Sequence, residues 1–372
     1  MTVLHLDAGR TWRGGQQQVY LLHRELRARG VESRLLARGE LLARCRREGL
    51  PAEELPGRGG WSLAALGAVL GASRGRVILH AHDSHALGLG AVARAVWPGV
   101  CLVGHRRVSY PASRGPLSRW KYGRADAWVA VSAEVARVLG RAGIPAGRVS
   151  VVHSAIDLNA LRAQAAAADL VGLRAELGIP AGSPVVGFCG AFSPQKGHRV
   201  LAEAARLVLA RMPEVLFLLP GEGELLSQVR WWVETQGLAK AFRLPGFRRD
   251  VGALTALFTL AAVPSVDGEG SSAAIKEPMA LGVPVVASDL AGNLEVLHDG
   301  GMVFPRGDAP ALARELVALL QAPEERAELG RRGRARAEAF APAVMAEGVL
   351  ALYQSLARGR GPRAGPGAGE ER

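Results

Sequence analysis

The chain has 372 residues, enough for two domains of ordinary size, and its 49% hydrophobic and 22% charged residues exclude a disordered protein. Three cysteines without a Cys-x-x-Cys pair (Cys45, Cys101, Cys189) exclude a disulfide framework and a thiolate zinc site. No apolar run reaches the ~18 residues of a bilayer span, and Met1–Asp7 lacks the basic and apolar segments of a signal peptide, so a cytoplasmic protein is expected. The formal charge of +12 lies wholly in residues 1–157, which hold 23 basic and 11 acidic side chains against 23 of each in 158–372. Such a one-sided field suits nucleic acid, an anionic membrane surface or an acidic substrate. Only four of the 46 basic residues are Lys. A compositional bias accounts for that preference, but not for a surplus that stops midway.

In chain order, the first predicted strand is Val3–Asp7. A Gly-rich turn, Trp12-Arg13-Gly14-Gly15, leads into a helix marked by Val19, Leu22 and Leu26, and Gly30 stands where it should stop. Further strands are predicted at Ser33–Ala37, Val77–His82, Trp128–Ser132 and Val149–His153. After residue 184 they are Pro184–Gly190, Val215–Gly221, Phe242–Phe247, Thr259–Ser265, Pro284–Ser288 and Gly301–Pro305. Most are continuous apolar runs, as in parallel sheets covered on both faces. The pattern runs once to about residue 155 and restarts near 184, across an Ala-rich linker, a helix and a turn. Asp308 with Pro310 reads as the N-cap and first turn of a helix through Leu312, Leu316 and Leu319. The expected fold class is α/β, with two doubly wound Rossmann-like parallel-sheet domains facing a central cleft. Residues 1–157 would be the N-terminal domain and 158–340 the C-terminal one. A helix at 341–356 would pack back towards the first, and 357–372 would be a disordered tail. Ligands of such sheets bind beyond the carboxyl ends of the strands.

The densest stretch of candidate chemistry follows the predicted strand ending at Ser265. It is a loop, Val266-Asp267-Gly268-Glu269-Gly270-Ser271-Ser272, and then a helix carrying Lys276 and Glu277. A loop feeding a helix N-terminus offers free N–H groups and the positive end of the helix dipole, a ready anion site. Glu269 in the loop and Glu277 on the helix can face one pocket. Their spacing alone says little, since Glu32/Glu40 and Glu214/Glu222 repeat it. Lys276 reads as a surface residue.

Taken in order, several pieces resemble the large retaining nucleotide-sugar glycosyltransferase family four, of the GT-B fold with two Rossmann-like domains. Glycogen synthases and phosphatidylinositol mannosyltransferases share this architecture. The pieces are the opening strand with Gly14-Gly15, Leu79-His80-Ala81-His82, Ala130-Val131-Ser132, and His153-Ser154-Ala155-Ile156-Asp157. They continue through Lys196-Gly197, Gly221-Glu222-Gly223, Gly246-Phe247-Arg248-Arg249-Asp250, Glu269 with Glu277, Gly292-Asn293-Leu294-Glu295, and Tyr353 in the last helix. The resemblance implies that Glu269 orients the transferred sugar, that Glu277 accepts hydrogen bonds from ribose hydroxyls, and that Lys196 pairs with the leaving diphosphate. It implies that backbone N–H groups near Gly14 and Gly15, and from Ser272 to Ala274, cradle the phosphates, and that Gly270, Ser271, Ser272 and Ala273 belong to the donor-binding residues. Arg243 to Phe247 would hold the base, and His82, or less well His80, would lie near sugar and acceptor.

The chain departs from the family pattern in places. Ala191 stands where the family has a phosphate-binding Arg, and Arg199, His198 or Arg13 would have to compensate. Gly270-Ser271-Ser272 replaces a usual Gly-Phe-Gly. Pro278 follows Glu277, where a proline is tolerated only in a first turn, so the helix is expected to begin at about Ala274 or Ile275. No Asp-x-Asp occurs, so no metal and no cofactor is expected on the diphosphate. The implied reaction moves a hexose-type sugar from a nucleotide diphosphate sugar, a UDP-sugar ahead of a GDP- or ADP-sugar, with retention of configuration. For the acceptor, His105–Arg124 holds Arg106, Arg107, Arg114, Arg119, Lys121 and Arg124, no acid, and three aromatic residues. That suits an anionic glycan or a lipid headgroup surface, hence an envelope lipid or polysaccharide acceptor and a peripheral place on the inner membrane face. No RNA-binding signature is present, and no nucleic acid partner is expected. The alternatives are a nucleotide-sugar epimerase of the same fold and a non-catalytic nucleotide-sugar-binding protein.

Overall fold

The structure, a computed structural model, describes residues 1–57, 62–111 and 115–359; Arg114 and positions 360–372 of the expected tail lie outside the described residues. The chain divides into two compact units, Met1–Ala155 with the segment from Pro342 onward, and Ile156–Ala341. Among the described residues, thirteen strands form two wholly parallel sheets, one in each unit.

In the first unit the strands are β1 (Thr2–Leu6), β2 (Glu32–Ala37), β3 (Ala52–Glu54), β4 (Val77–Ala81), β5 (Val100–Arg106), β6 (Ala127–Ala130) and β7 (Val149–Val151), in the order β3-β2-β1-β4-β5-β6-β7. Side-chain alternation sends Leu4, Leu6, Leu79 and Leu102 into one core. Val3, Ile78, Val103 and Val129 enter a second core, with the helices Gly14–Ala28 and Pro342–Ala357. Two apolar faces per strand are why these strands read as unbroken apolar runs. Two strands escaped the sequence reading. β3 is a three-residue edge with Glu53 and Glu54 exposed, and β5 ends in the polar Gly104-His105-Arg106. The segment after residue 157 forms two helices, Leu158–Ala166 and Leu170–Glu176, whose first turns are capped by the Asp157 and Asp169 carboxylates.

The second unit holds β8 (Val185–Gly187), β9 (Leu216–Leu218), β10 (Phe242–Arg243), β11 (Leu260–Val263), β12 (Val285–Ser288) and β13 (Met302–Phe304), ordered β10-β9-β8-β11-β12-β13. Chain direction through the sheet reverses between β8 and β11. The loops leaving these two strands therefore flank the switch point, where such sheets form ligand crevices. The helix Ala309–Gln321 is capped as the sequence predicts, Asp308 Oδ1 accepting from the Ala311 N–H at 2.8 Å.

The helix Ala273–Ala280 differs from expectation. It starts earlier, so Pro278 lies in its interior and not in its first turn. The helix ends two residues later, where the Pro278 carbonyl takes the N–H groups of Leu281 (3.1 Å) and Val283 (3.0 Å). At the C-terminal end, the helical run Pro323–Ala357 passes the length and hydropathy test for a membrane span. It is broken at Ala341, however, and its last helix turns Met345, Val349, Leu352 and Tyr353 into a core.

Candidate functional site

In the second unit, the chain leaving β8 turns through Pro194–Lys196 and reaches Gly197 at φ +68°. A Cβ there would stand 1.9 Å from the Pro264 carbonyl oxygen, so only glycine lets this turn lie against the end of β11. The Val266 N–H donates to the Gln195 carbonyl at 2.8 Å and stitches the two loops together. Lys196 and Glu269, 73 residues apart in sequence, therefore meet. Lys196 Nζ donates to Glu269 Oε1 at 2.6 Å, and Ser265 Oγ donates to the same oxygen at 2.6 Å. The Glu269 carboxylate is buried and the lysine partly open. Behind it, Gly292 brings the helix Ala291–Leu297 so close that a Cβ would sit 2.2 Å from the Glu269 carbonyl oxygen. Ser288 Oγ donates to the Ser265 carbonyl at 2.5 Å, and Asn293 Nδ2 donates to Ser288 Oγ at 3.0 Å. Each of these braces ends on the backbone or side chain that fixes the carboxylate.

Beyond Glu269 the loop enters the helix Ala273–Ala280. Ser272 occupies the N-cap without capping, its buried hydroxyl having no partner. The first N–H groups of this helix thus lack a side-chain acceptor, the condition for receiving an anion. Glu277 projects one turn on. Burial raises its carboxyl to about 7, against the pull of Lys276 and Lys196. Lys276, expected on the surface, is 1% exposed. Burial lowers its amine to about 7, against the fields of Glu269 and Glu277. Its helical register with the buried Met279 and Ala280 was the signal the sequence reading missed.

The Arg243 guanidinium, in the segment expected to hold the base, does not have its donors free. It donates to the carbonyls of Leu177 (2.7 Å), Gly178 and Lys240 (2.8 Å), tying down the edge strand β10. Phe247, a few residues on, is exposed. Nor do His198 and Arg199 stand in for the arginine absent at the exposed Ala191. His198 is buried against Phe192 with ring centroids 4.1 Å apart, and burial with the Lys196 charge pushes it down to about 4, so it is neutral. Arg199 pairs on the surface with Glu203 at 2.8 Å.

In the first unit, Gly14 and Gly15 are the first two residues of the helix Gly14–Ala28. Its N-cap, Arg13, makes no side-chain cap, and nothing lies within 4 Å of where a Cβ on either glycine would be. His82, expected beside sugar and acceptor, belongs to a buried imidazole cluster. Residues His5, His80, His82 and His105 share one face of β1, β4 and β5 and its carboxyl edge, as strand register dictates. Arg107, a donor only, reaches His82 Nδ1 at 2.8 Å, so the His82 proton sits on Nε2 and points at His5 Nδ1, 2.9 Å away. Neither ring nitrogen is free to take a substrate proton. The Tyr353 hydroxyl, on the helix Pro342–Ala357, closes the cluster at His80 Nδ1, 2.5 Å away.

The basic stretch is also redistributed. Arg106 is buried, bonded to the Tyr122 hydroxyl at 2.8 Å and to the Tyr110 carbonyl. Arg107 is occupied by the His82 carbonyl and the cluster. These two arginines cannot contact a membrane. Lys121 Nζ donates to the Ser84 carbonyl at 3.1 Å. Among the described residues of the stretch, Arg119 and Arg124 are the exposed cations, with Tyr110, Leu117 and Trp120 exposed nearby in sequence.

Comparison with known proteins places both halves in one context. Residues 12–160 match the profile described as Glycosyltransferase Family 4, and residues 183–322 the one described as Glycosyl transferases group 1. The chain is 33% identical, over 70% of its length, to D-inositol 3-phosphate glycosyltransferase of Nocardia farcinica, covering 59% of that protein. It is also 33% identical, over 48% of its length, to phosphatidyl-myo-inositol mannosyltransferase of Mycobacterium leprae, covering 49% of that one. The chain thus spans about half to three-fifths of these relatives. Anabaena HepE in complex with UDP superposes over 96% of this chain and 100% of its own, with TM-score 0.81 and 21% identity, a likeness of fold.

Proposed function

The chain belongs to glycosyltransferase family 4 and has the GT-B fold of two Rossmann-like parallel-sheet units, and we propose that it transfers a hexose-type sugar from a nucleotide diphosphate sugar with retention of configuration. The observation that carries this reading is the Lys196–Glu269 pair at 2.6 Å, held at the switch point of the second sheet beside an uncapped helix N-terminus. In the transfer, the bond from the anomeric carbon to the β-phosphate oxygen breaks and a bond to the acceptor oxygen forms on the same face. The acceptor's proton passes to the leaving phosphate oxygen. Lys196 and the N–H groups from Ser272 to Ala274 offset the charge that develops on that phosphate, a preorganised electrostatic role that leaves no step to a metal. Glu269 accepts from hydroxyls of the sugar, and Glu277, when ionised, from those of the ribose.

A UDP-sugar is the proposed donor. Anabaena HepE binds UDP and UDP-glucose in the same fold. The proposed acceptor is an envelope lipid or anionic polysaccharide, met by the first unit with its charge surplus. The name of phosphatidyl-myo-inositol mannosyltransferase supports a lipid acceptor, while that of D-inositol 3-phosphate glycosyltransferase names a small anionic one; with a lipid acceptor goes a cytoplasmic, peripheral membrane location. The test is a thermal-shift panel of nucleoside diphosphates and their sugars, followed by transfer from the best ligand to lipid and glycan acceptors. Preferential binding adds about 2.7 kcal/mol of stability at a hundredfold excess over Kd and so raises the melting temperature. A panel without any shift, or interconversion of the free nucleotide sugar in place of transfer, refutes the proposal.

A further inference from the structure

Lys276 buries a cation where helix packing asks for an apolar side chain. It sits in the first turn of the helix Ala273–Ala280, the positive end of the helix dipole, where a cation is disfavoured. It is 1% exposed. Its side chain, tilted towards the helix N-terminus as helical side chains are, lays Nζ 4.8 Å from the centre of the Phe340 ring, which the Arg336 guanidinium also covers at 4.9 Å. A methionine would fill this space without burying a charge, but it would leave Glu269, Glu277 and Glu295 without the field of this cation. What Nζ does is reach back five residues, donating to Ser271 Oγ at 2.5 Å and to the Ser271 carbonyl at 3.3 Å.

Ser271 lies between the carboxylate that receives Lys196 and the N-cap that opens the anion site. On the Gly270 side the loop is fixed by the close approach of Gly292, whose Cβ would come within 3.3 Å of the Gly270 carbonyl oxygen. On the Ser272 side the N-cap hydroxyl bonds nothing. We propose that Lys276 is a positioning residue, which holds Ser271, and through it the Gly270-Ser271-Ser272 loop, in the conformation that receives the diphosphate sugar. This rests on the donor reading above as regards the ligand, but not as regards the loop. Lys276 itself touches no substrate and acts through Ser271.

Lys276→Met, Ser271→Ala and the double variant test it. In the free protein, amide hydrogen exchange at Gly270 to Ala274 should quicken ~10-fold in Lys276→Met, well beyond any change at the core strands β8 and β11. With UDP-glucose, UDP-N-acetylglucosamine and GDP-mannose as probes, release of nucleoside diphosphate from the best of them should slow ~10–100-fold, the scale of a misplaced reacting group, with donor KM changed far less. Ser271→Ala should reproduce the direction of both effects. The double variant should be no slower than the worse single one, because both changes break one link. Unchanged exchange at this loop overturns the inference, as do additive kinetic losses. If Lys276→Met fails to fold, Ser271→Ala, which removes the side-chain acceptor alone, decides in the same two assays. If the wild type cleaves none of the probes, the donor reading fails, and exchange still decides whether the lysine holds the loop.

Discussion

Replacing Lys196 by Met separates an ion pair kept for catalysis from one kept for stability. The lysine side chain is 21% exposed and that of Glu269 only 7%, so the 2.6 Å contact is mostly shielded from water. Without it the carboxylate keeps Ser265 Oγ as its side-chain donor. The loss of a charge-assisted hydrogen bond is worth ~1.5–3 kcal/mol. At ~2–4 °C per kcal/mol for a unit of this size, the melting temperature should fall by roughly 3–12 °C. Turnover should fall at least ~100-fold, or ~2.7 kcal/mol of barrier, because a preorganised cation on the leaving phosphate is gone. Adding Glu269→Gln removes the stranded charge, so much of the lost melting temperature should return while turnover stays low. The assay is nucleoside diphosphate release from the preferred donor, run beside a melting curve for each variant. Turnover within ~3-fold of wild type in Lys196→Met, or turnover that returns together with stability in the double variant, refutes the phosphate role.

Burial raises the Glu277 carboxyl to about 7, and only its ionised form accepts from two ribose hydroxyls. UDP-glucose, whose pyrophosphate diester does not titrate in this range, should therefore bind more tightly at pH 8 than at pH 6, and Glu277→Gln should flatten that slope; an equal slope in both proteins ends the ribose assignment. Stability runs the other way. The folded value lies above the ~4.3 of an unfolded Glu, so the protonated carboxyl's contribution is whole below that and lost as pH rises through about 7. Glu277→Gln should then gain more melting temperature over wild type at pH 8 than at pH 5, a comparison made at each pH because Lys276, lowered to about 7, titrates there with the opposite sign. At the first unit's surface, Arg119→Glu with Arg124→Glu should weaken binding to phosphatidylglycerol vesicles at least ~30-fold at low salt, on ~1 kcal/mol per cation. Arg106→Glu should instead lower the melting temperature, since that side chain is buried. Vesicle binding indifferent to the surface pair refutes the membrane contact.

What could be read in advance followed the physics of each feature. Both parallel sheets were legible because strands buried on two faces leave continuous apolar runs, whereas β3, with Glu53 and Glu54 exposed on an edge, leaves none. Glu269, Lys196 and Glu277 were singled out by motif order. Their meeting was not legible, because it depends on Gly197 passing within contact of Pro264 and on Gly292 lying against Glu269, and no spacing encodes those approaches. The arginines were misread for one reason. Sequence shows a charge but not its acceptors, and Arg106, Arg107 and Arg243 each have backbone carbonyls to bind. The partners of His82 were hidden in the same way, since they are Arg107 on the neighbouring strand's extension and His5 on β1. Lys276 was misjudged for a further reason, because an amine on a helix is expected at the surface unless something pays for its burial. Here the offset comes from three carboxylates, Glu269, Glu277 and Glu295, and an aromatic ring, and only Glu277 is its neighbour in sequence. A cation kept at the wrong end of a helix at such cost marks the loop it holds, Gly270 to Ser272, as the part of the site whose shape the protein defends.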